Sequence, residues 1–77
     1  MDIEDVLSDR IILSTSLLSN WYWSYRTYIT FDNRHSWVIL EDYISEEDAM
    51  QGHETYKNMN IEELIKLDKV YYLEREL

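Results

Sequence analysis

The sequence predicts a small α+β domain, in which an antiparallel sheet of three or four strands packs against one or two helices. Apolar and aromatic residues alternate with period two between residues 11 and 43, which is typical of strands. A stripe of helical period follows Ser45, and short polar breaks between the strands favour an antiparallel meander. The chain has 77 residues and no proline or glycine-rich linker, so residues 1–77 are expected to form one domain.

The N-terminal segment, residues 1–9, is acidic. Ile3, Val6 and Leu7 would share one face of a helical turn. We therefore predict a short helical turn or a mobile acidic arm here.

Three strands are predicted at residues 11–18, 21–31 and 36–43. The second has the clearest alternation, with aromatic and β-branched residues on one face. The third is apolar on both faces around Ile39, which favours a central place in the sheet. The residues assigned to one face of the second strand are Trp21, Trp23, Tyr25, Thr27, Ile29 and Phe31.

A helix is predicted to begin after Ser45, a good N-cap, with Asp48 at the third helical position. Gly52 in the helix interior predicts close approach of an aromatic side chain such as Trp23 or Trp37. We interpret His53 as a partly buried imidazole bonded to the sheet or to a tyrosine, in preference to a functional histidine. The predicted core-facing stripe is Ala49, Gly52, His53, Tyr56 and Met59.

The C-terminal third is predicted to contain a second short helix at residues 60–67, capped by Asn60. Residues 69–77 favour a last strand over more helix, because Val70, Tyr71 and Tyr72 are β formers.

Composition excludes several classes of protein. Cysteine is absent, so neither a disulfide framework nor a thiolate metal site can form. No apolar run approaches the roughly 20 residues that span a bilayer, and the acidic N-terminus does not resemble an export signal. A net charge of −9 disfavours direct binding to nucleic acid or to an anionic membrane.

The chain offers no recognisable catalytic or metal-binding pattern. It has no G-x-S-x-G elbow, its single glycine rules out a glycine-rich phosphate loop, and no calcium loop is present. His53 and Glu54 are adjacent and would diverge on a helix. We expect no enzyme activity, no cofactor and no metal site.

The negative charge is clustered. Residues 41–54 contain six acids and no lysine or arginine, whereas residues 10–40 contain three arginines and one acid. The helix dipole accounts for acids in the first helical turn but not for the others. The excess is either a binding surface or a means of staying in solution. The candidate partner-binding residues are Asp2, Glu4, Asp5, Asp9, Glu41, Asp42, Glu46, Glu47, Asp48 and Glu54.

Aromatic residues of the second predicted strand form another candidate surface. One face of a small sheet stays uncovered when its helices pack on the other. Exposed tyrosines there would favour a homodimer. The candidates for self-association are Tyr22, Tyr25 and Tyr28.

The segment YISEEDAMQGH, residues 43–53, resembles a Y-x-[ST]-E-E-x-A-x-x-G-H pattern in small, mostly uncharacterised proteins of tailed phages. Upstream, LST at 13–15 and YITF at 28–31 are similar to two earlier strands of that family. The likeness covers about residues 12–59 and implies a phage origin with a strand–strand–strand–helix core. The glycine-rich connection of many such proteins is missing here.

The resemblance also suggests a function. Small acidic phage proteins often bind and disable a host protein, and some imitate DNA. They include a Bacillus-phage inhibitor of the histone-like protein HU. Our leading hypothesis is a non-enzymatic protein of the host bacterial cytoplasm that binds a basic, nucleic-acid-binding host protein, with HU as candidate target. The alternative is a phage structural or assembly module that acts through its aromatic sheet surface.

Overall fold

The computed structural model describes residues 2–19, 23–67 and 71–72, and the statements below concern these residues. The sheet is antiparallel, and its strand order follows the chain from β1 to β5. Two helices pack on one face, the inner face, and the opposite face is the outer face. The predicted α+β class is confirmed. The elements are β1 (Asp2–Val6), β2 (Ile12–Ser19), β3 (Trp23–Thr30), β4 (Trp37–Tyr43), α1 (Glu46–Lys57), α2 (Ile61–Ile65) and β5 (Tyr71–Tyr72).

The N-terminal segment is an edge strand, and the prediction of a helical turn or mobile arm at residues 1–9 is wrong. Asp2 pairs with Ser16 and Val6 with Ile12, in an unbroken antiparallel register. Burial alternates with period two, so Ile3 is half-buried while Val6 is 69% exposed. The helical assignment failed because it placed these two side chains on one face. Charges along an edge strand discourage pairing with other chains.

The core lies between the inner face and the helices. The observed strands agree with the predicted ones within two residues at each end, except that Trp21 and Tyr22 lie outside the described residues. Thr27 and Ile29 are completely buried, as the alternation in β3 predicts. The buried apolar cluster is Ile11, Leu13, Ile29, Val38, Leu40 and Leu64.

A β-bulge in β4 sets which side chains point inward. Thr27 pairs with Glu41, but Tyr28 pairs with Ile39, so Leu40 is the extra residue. Val38 is buried before the bulge, Leu40 is buried at it, and Tyr43 is buried after it. Bulges re-aim side chains in this way. The third predicted strand, β4, lies inside the sheet between β3 and β5, in agreement with the predicted central place.

Helix α1 begins where the sequence predicts, since the Ser45 hydroxyl accepts a hydrogen bond of 3.1 Å from the Asp48 amide. The predicted core-facing stripe is confirmed: Ala49 and His53 are buried, and its other members are half-buried. Gly52 does lie against an aromatic ring, but the ring is that of Tyr43. The choice of Trp23 or Trp37 as its neighbour is therefore wrong.

Helix α2 is shorter than predicted, but its cap is confirmed. The Asn60 side chain accepts a hydrogen bond of 2.8 Å from the Glu62 amide. The predicted last strand is present as β5, which pairs with Trp37 and Val38. The rest of the predicted 69–77 strand lies outside the described residues.

The β3–β4 loop is organised by one carboxylate. Asp32 accepts hydrogen bonds from the Ser36 hydroxyl at 2.7 Å, the Ser36 amide at 2.9 Å and the Thr30 hydroxyl at 2.9 Å. The bonds from Ser36, and then that from Thr30, lower the pKa of Asp32 to about 2. Asn33 and Arg34 adopt positive φ angles of 59° and 76°. The Thr30 hydroxyl accepts from the Arg34 amide at 3.0 Å and helps hold this turn.

We predict that Gly52→Ala destabilises the protein, although alanine is the better helix former. A Cβ at residue 52 would overlap the Tyr43 phenol, and overpacking of this kind costs about 1–3 kcal/mol. The helix-propensity gain is only about 1 kcal/mol. The test is the free energy of unfolding in urea, measured for Gly52→Ala and for Gln51→Ala, a control at an exposed site of the same helix. A stabilised Gly52→Ala variant would contradict the packing described here.

We predict that Asp32→Asn reduces the loss of stability on acidification. The pKa of Asp32 is lower in the folded protein than the ordinary value of about 3.9. Its contribution is therefore present above pH 4 and is lost as the pH falls towards 2. Unfolding free energies between pH 5 and 2 should fall less steeply in Asp32→Asn than in wild type. Asp9→Asn, at an exposed site, should keep the wild-type slope, and equal slopes in all three proteins would refute the assignment.

Candidate functional site

A series of hydrogen bonds crosses the inner face of the sheet from β1 to α1, and we call it the polar chain. Its first half joins Asp5 to His53 Nε2 at 2.8 Å, and His53 Nδ1 to the Thr15 hydroxyl at 2.7 Å. The Thr15 hydroxyl then contacts the Thr27 hydroxyl at 2.6 Å. Four elements, β1, α1, β2 and β3, therefore meet through four side chains.

The second half of the polar chain leads back to the surface. The Thr27 hydroxyl donates to the Tyr43 phenol at 3.1 Å, and Tyr43 donates to Glu41 Oε1 at 3.4 Å. The Tyr56 phenol of α1 donates to the same oxygen at 3.2 Å. The bulge in β4 makes this possible, because it turns both Glu41 and Tyr43 towards the helix. Burial, and then the charge of Glu41, raise the pKa of Tyr56 to about 12.

The centre of the polar chain is sealed from solvent. Thr15 and Thr27 have no exposed surface, and His53 is 1% exposed. Among the described residues, every buried side-chain polar atom has a hydrogen-bond partner. A half-satisfied network in a core would be costly, so each member depends on the others.

Asp5, His53 and Thr15 follow the acid–imidazole–hydroxyl order of a hydrolytic triad. A nucleophile must reach its substrate, however, and Thr15 is completely buried. We therefore assign this series to holding the fold and positioning protons. The preferred interpretation of His53 as a buried imidazole bonded to the sheet is confirmed.

Asp5 fastens the edge strand to α1. Its carboxylate contacts His53 and also lies 3.8 Å from Lys57 Nζ. The hydrogen bond from His53, assisted by the charge of Lys57, lowers the pKa of Asp5 below its ordinary value. Asp5 was predicted as a partner-binding acid, but the structure gives it this internal role.

An acidic groove of about 520 Å³ separates the end of β4 from α1. Glu41 and Asp42 line it from the end of β4, and Asp48 lines it from the first turn of α1. Gly52 and the Tyr43 ring form part of its wall. Three of the ten predicted partner-binding acids therefore share one concave surface.

The predicted partner-binding acids differ in whether they are paired with a base. Glu4 pairs with Arg34 at 2.8 Å, Asp42 with Arg26 at 2.7 Å, and Glu54 lies 4.0 Å from Lys57. Five exposed acids have no ion pair or side-chain hydrogen bond to another described residue. These are Asp2, Asp9, Glu46, Glu47 and Asp48.

The predicted self-association residues do not form one patch. Tyr22 lies outside the described residues. Tyr25 pairs with Leu17 and with the inward-facing Tyr43, whereas Tyr28 pairs with Ile39 on the outer face. Tyr28 and Trp37 pack edge to face, with ring centroids 6.0 Å apart. The outer-face candidate is therefore this pair, with Tyr25 on the other side of the sheet.

The sequence prediction missed the polar members of the chain other than His53. Thr15 was placed in the first predicted strand and Thr27 on one face of the second, but neither was assigned to a network. Their positions carried a signal, because a hydroxyl in the middle of an inward face needs a polar partner. Nothing in the sequence indicated that Tyr43 and Glu41 belong to the network, because the bulge that turns them inward does not appear as a break in the sequence.

No family model, curated protein or solved structure matches this chain. The phage resemblance therefore depends on the quoted residues alone and stays a prediction. In the described part of the chain, no helix is long and apolar enough to cross a membrane. Nor do three or more of its acidic or histidine side chains converge there as metal ligands.

We predict that Thr15→Val destabilises the protein by about 2 kcal/mol or more, although valine has the same shape. The change leaves His53 Nδ1 without a partner and takes one of its two partners from the Thr27 hydroxyl, which keeps only Tyr43. A buried unsatisfied group costs about 1–3 kcal/mol. Thr55→Val is the matched control, because its exposed hydroxyl bonds only to the Gln51 carbonyl of its own helix. In denaturant unfolding, the control should lose less than about 0.5 kcal/mol of unfolding free energy. Equal effects at both sites would refute the importance of the polar chain.

Proposed function

We propose that the protein binds a basic host protein through the acidic groove and the adjoining N-terminal turn of α1. The clustering of free carboxylates supports this proposal. Glu46, Glu47 and Asp48 are exposed and unpaired among the described residues, and Asp48 also lines the groove with Glu41. A lysine or arginine entering there would meet several carboxylates.

The distribution of the cations supports the same surface. Arg26 is bound to Asp42 through two hydrogen bonds, and Arg34 is bound to Glu4. Lys57, the only lysine or arginine in α1, lies at the opposite end of the helix from the free acids. The N-terminal turn of α1 therefore keeps its negative charge without internal neutralisation.

Imitation of DNA is the specific form of the proposal. Glu46, Glu47 and Asp48 place three negative charges within one turn of α1, and duplex DNA is similarly dense in charge, with about one charge per 1.7 Å of axis. A partner that recognises phosphates would accept such a cluster of carboxylates. A nucleic-acid-binding host protein, with HU as the first candidate from the phage resemblance, fits this chemistry.

Excess negative charge also has a cost that favours a binding role. Like charges on a compact domain repel one another. The helix dipole offsets part of this repulsion at the N-terminus of α1, by about 0.3–1 kcal/mol per acid. It does not act on Glu41 or Asp42 at the end of β4.

We predict that Glu46→Gln/Glu47→Gln weakens binding to HU several-fold or more at low salt, whereas Glu62→Gln/Glu63→Gln does not. Both variants remove two acids from the first turn of a helix, so they match in charge, chemistry and dipole effect. Binding measured from 25 to 300 mM salt should weaken steadily as salt rises, and duplex DNA should compete. Absence of binding at low salt, or binding indifferent to salt, would exclude HU as the target by this mechanism.

A second candidate is a structural or assembly module that binds through the outer face of the sheet. Both helices pack on the inner face, and the Tyr28–Trp37 pair lies on the other side. A pull-down from bacterial lysate with the charge variants and with Trp37→Ala separates the two candidates. Under this alternative, Trp37→Ala abolishes capture and homodimer formation, while both charge variants bind normally.

A further inference from the structure

The polar chain contains more contacts than a neutral imidazole can fill. Its six contacts need six hydrogens. Thr15, Thr27, Tyr43 and Tyr56 each supply one, because a hydroxyl has a single proton. The carboxylates of Asp5 and Glu41 only accept when ionised. His53 must therefore supply both remaining hydrogens to fill every contact.

The directions of the bonds lead to the same count. Tyr43 donates to Glu41, so Thr27 must donate to Tyr43. Thr15 then donates to Thr27, and its oxygen accepts from His53 Nδ1–H. His53 Nε2 faces the Asp5 carboxylate at 2.8 Å and must also carry a proton. The filled state contains an imidazolium.

Loss of one proton has a defined consequence. When the imidazolium gives up one proton to solvent and keeps the proton on Nε2, Nδ1 becomes an acceptor and the Thr15 hydroxyl donates to it. Thr27 then donates to Thr15, and Tyr43 donates to Thr27. Five contacts remain, and the one lost is the bond from Tyr43 to Glu41, at the wall of the acidic groove. The ion pair with Asp5 becomes a neutral hydrogen bond.

We propose that His53 is a proton-operated switch, which sets both the hold of β1 on α1 and the hydrogen bonding of Glu41 in the groove. Each end of the polar chain reports the charge of the buried imidazole. Protonation strengthens the Asp5 contact and gives Glu41 a second donor. Deprotonation weakens the contact between Asp5 and His53, and it leaves Glu41 with Tyr56 as its only donor in the polar chain.

The groups around His53 are few. From β1 it faces Asp5, and from its own helix Lys57 approaches the same carboxylate at 3.8 Å. The contacts from β2 and β3 are hydroxyls, Thr15 and Thr27. At the far end of the polar chain lie Glu41 and Tyr43 of β4 and Tyr56 of α1. Acidification eventually protonates Asp5, so the ion pair exists only between that pH and the pH at which His53 loses its proton.

The test is a side-chain NMR titration of the whole protein over the pH range in which it stays folded. Histidine ¹⁵N signals count the protons on His53, and the exposed His35 of the loop serves as internal reference. Signals from the Tyr43 ring and the Glu41 carboxylate report the far end. In wild type, these signals should shift with the same midpoint as His53.

Two variants separate a switch from mere proximity. Thr27→Val interrupts the hydroxyls, so His53 should still titrate while the Tyr43 and Glu41 signals no longer follow it. Tyr43→Phe removes the hydroxyl that joins Thr27 to Glu41, so the Glu41 signal should no longer shift with His53. This second variant keeps the test available if Thr27→Val does not fold. Thr55→Val should leave the coupling unchanged.

Three results would overturn the proposal. The first is a His53 that keeps one protonation state throughout the folded range. The second is a flat response of Tyr43 and Glu41 while His53 titrates. The third is coupling that persists in both interrupting variants. Binding of a partner enters none of these measurements, so they stand apart from the function proposed above.

Discussion

The contact of His53 with Asp5 on one side and Thr15 on the other is the constraint on which the rest of the structure depends. It joins the edge strand to the main helix and the helix to the middle of the sheet. A domain of 77 residues has a small apolar core. An apolar contact tolerates sliding, whereas a buried imidazole with two directional partners does not. The network therefore fixes the position of α1 on the sheet, and with it the shape of the groove.

Two local irregularities allow this network to form. The bulge in β4 turns Glu41 and Tyr43 to the inner face, after Val38 and Leu40 have already faced it. Gly52 then leaves room for the Tyr43 ring beside α1. Glycine inside a helix costs about 1 kcal/mol relative to alanine, and a bulge interrupts a strand ladder. The bulge and the helical glycine are each unfavourable alone, and together they allow the Tyr43 phenol to reach its place between the sheet and α1.

Much of the fold follows from patterns that the sequence displays openly. Alternation in β3 and the Ser45 cap located a strand and a helix because both signals are local. The identity of the neighbour of Gly52 was not local, since it required the register of β4 against α1. The edge strand was mistaken for a helical turn because five residues can satisfy either period. The groove could not be predicted either, because Glu41 and Asp48 meet only when the bulge and the helix position are known.

The charges and the polar chain are parts of one arrangement rather than two. Two arginines are paired with acids at the surface, Arg26 with Asp42 and Arg34 with Glu4. Of the five unpaired candidate acids, three lie in the first turn of α1, where the helix dipole tolerates them. Glu41 belongs to both systems, since it ends the buried chain and lines the acidic groove. Under the proposed switch, a change of one proton on His53 alters the hydrogen bonding of Glu41 at the acidic groove, so the buried network and the proposed binding surface would be coupled through this one carboxylate.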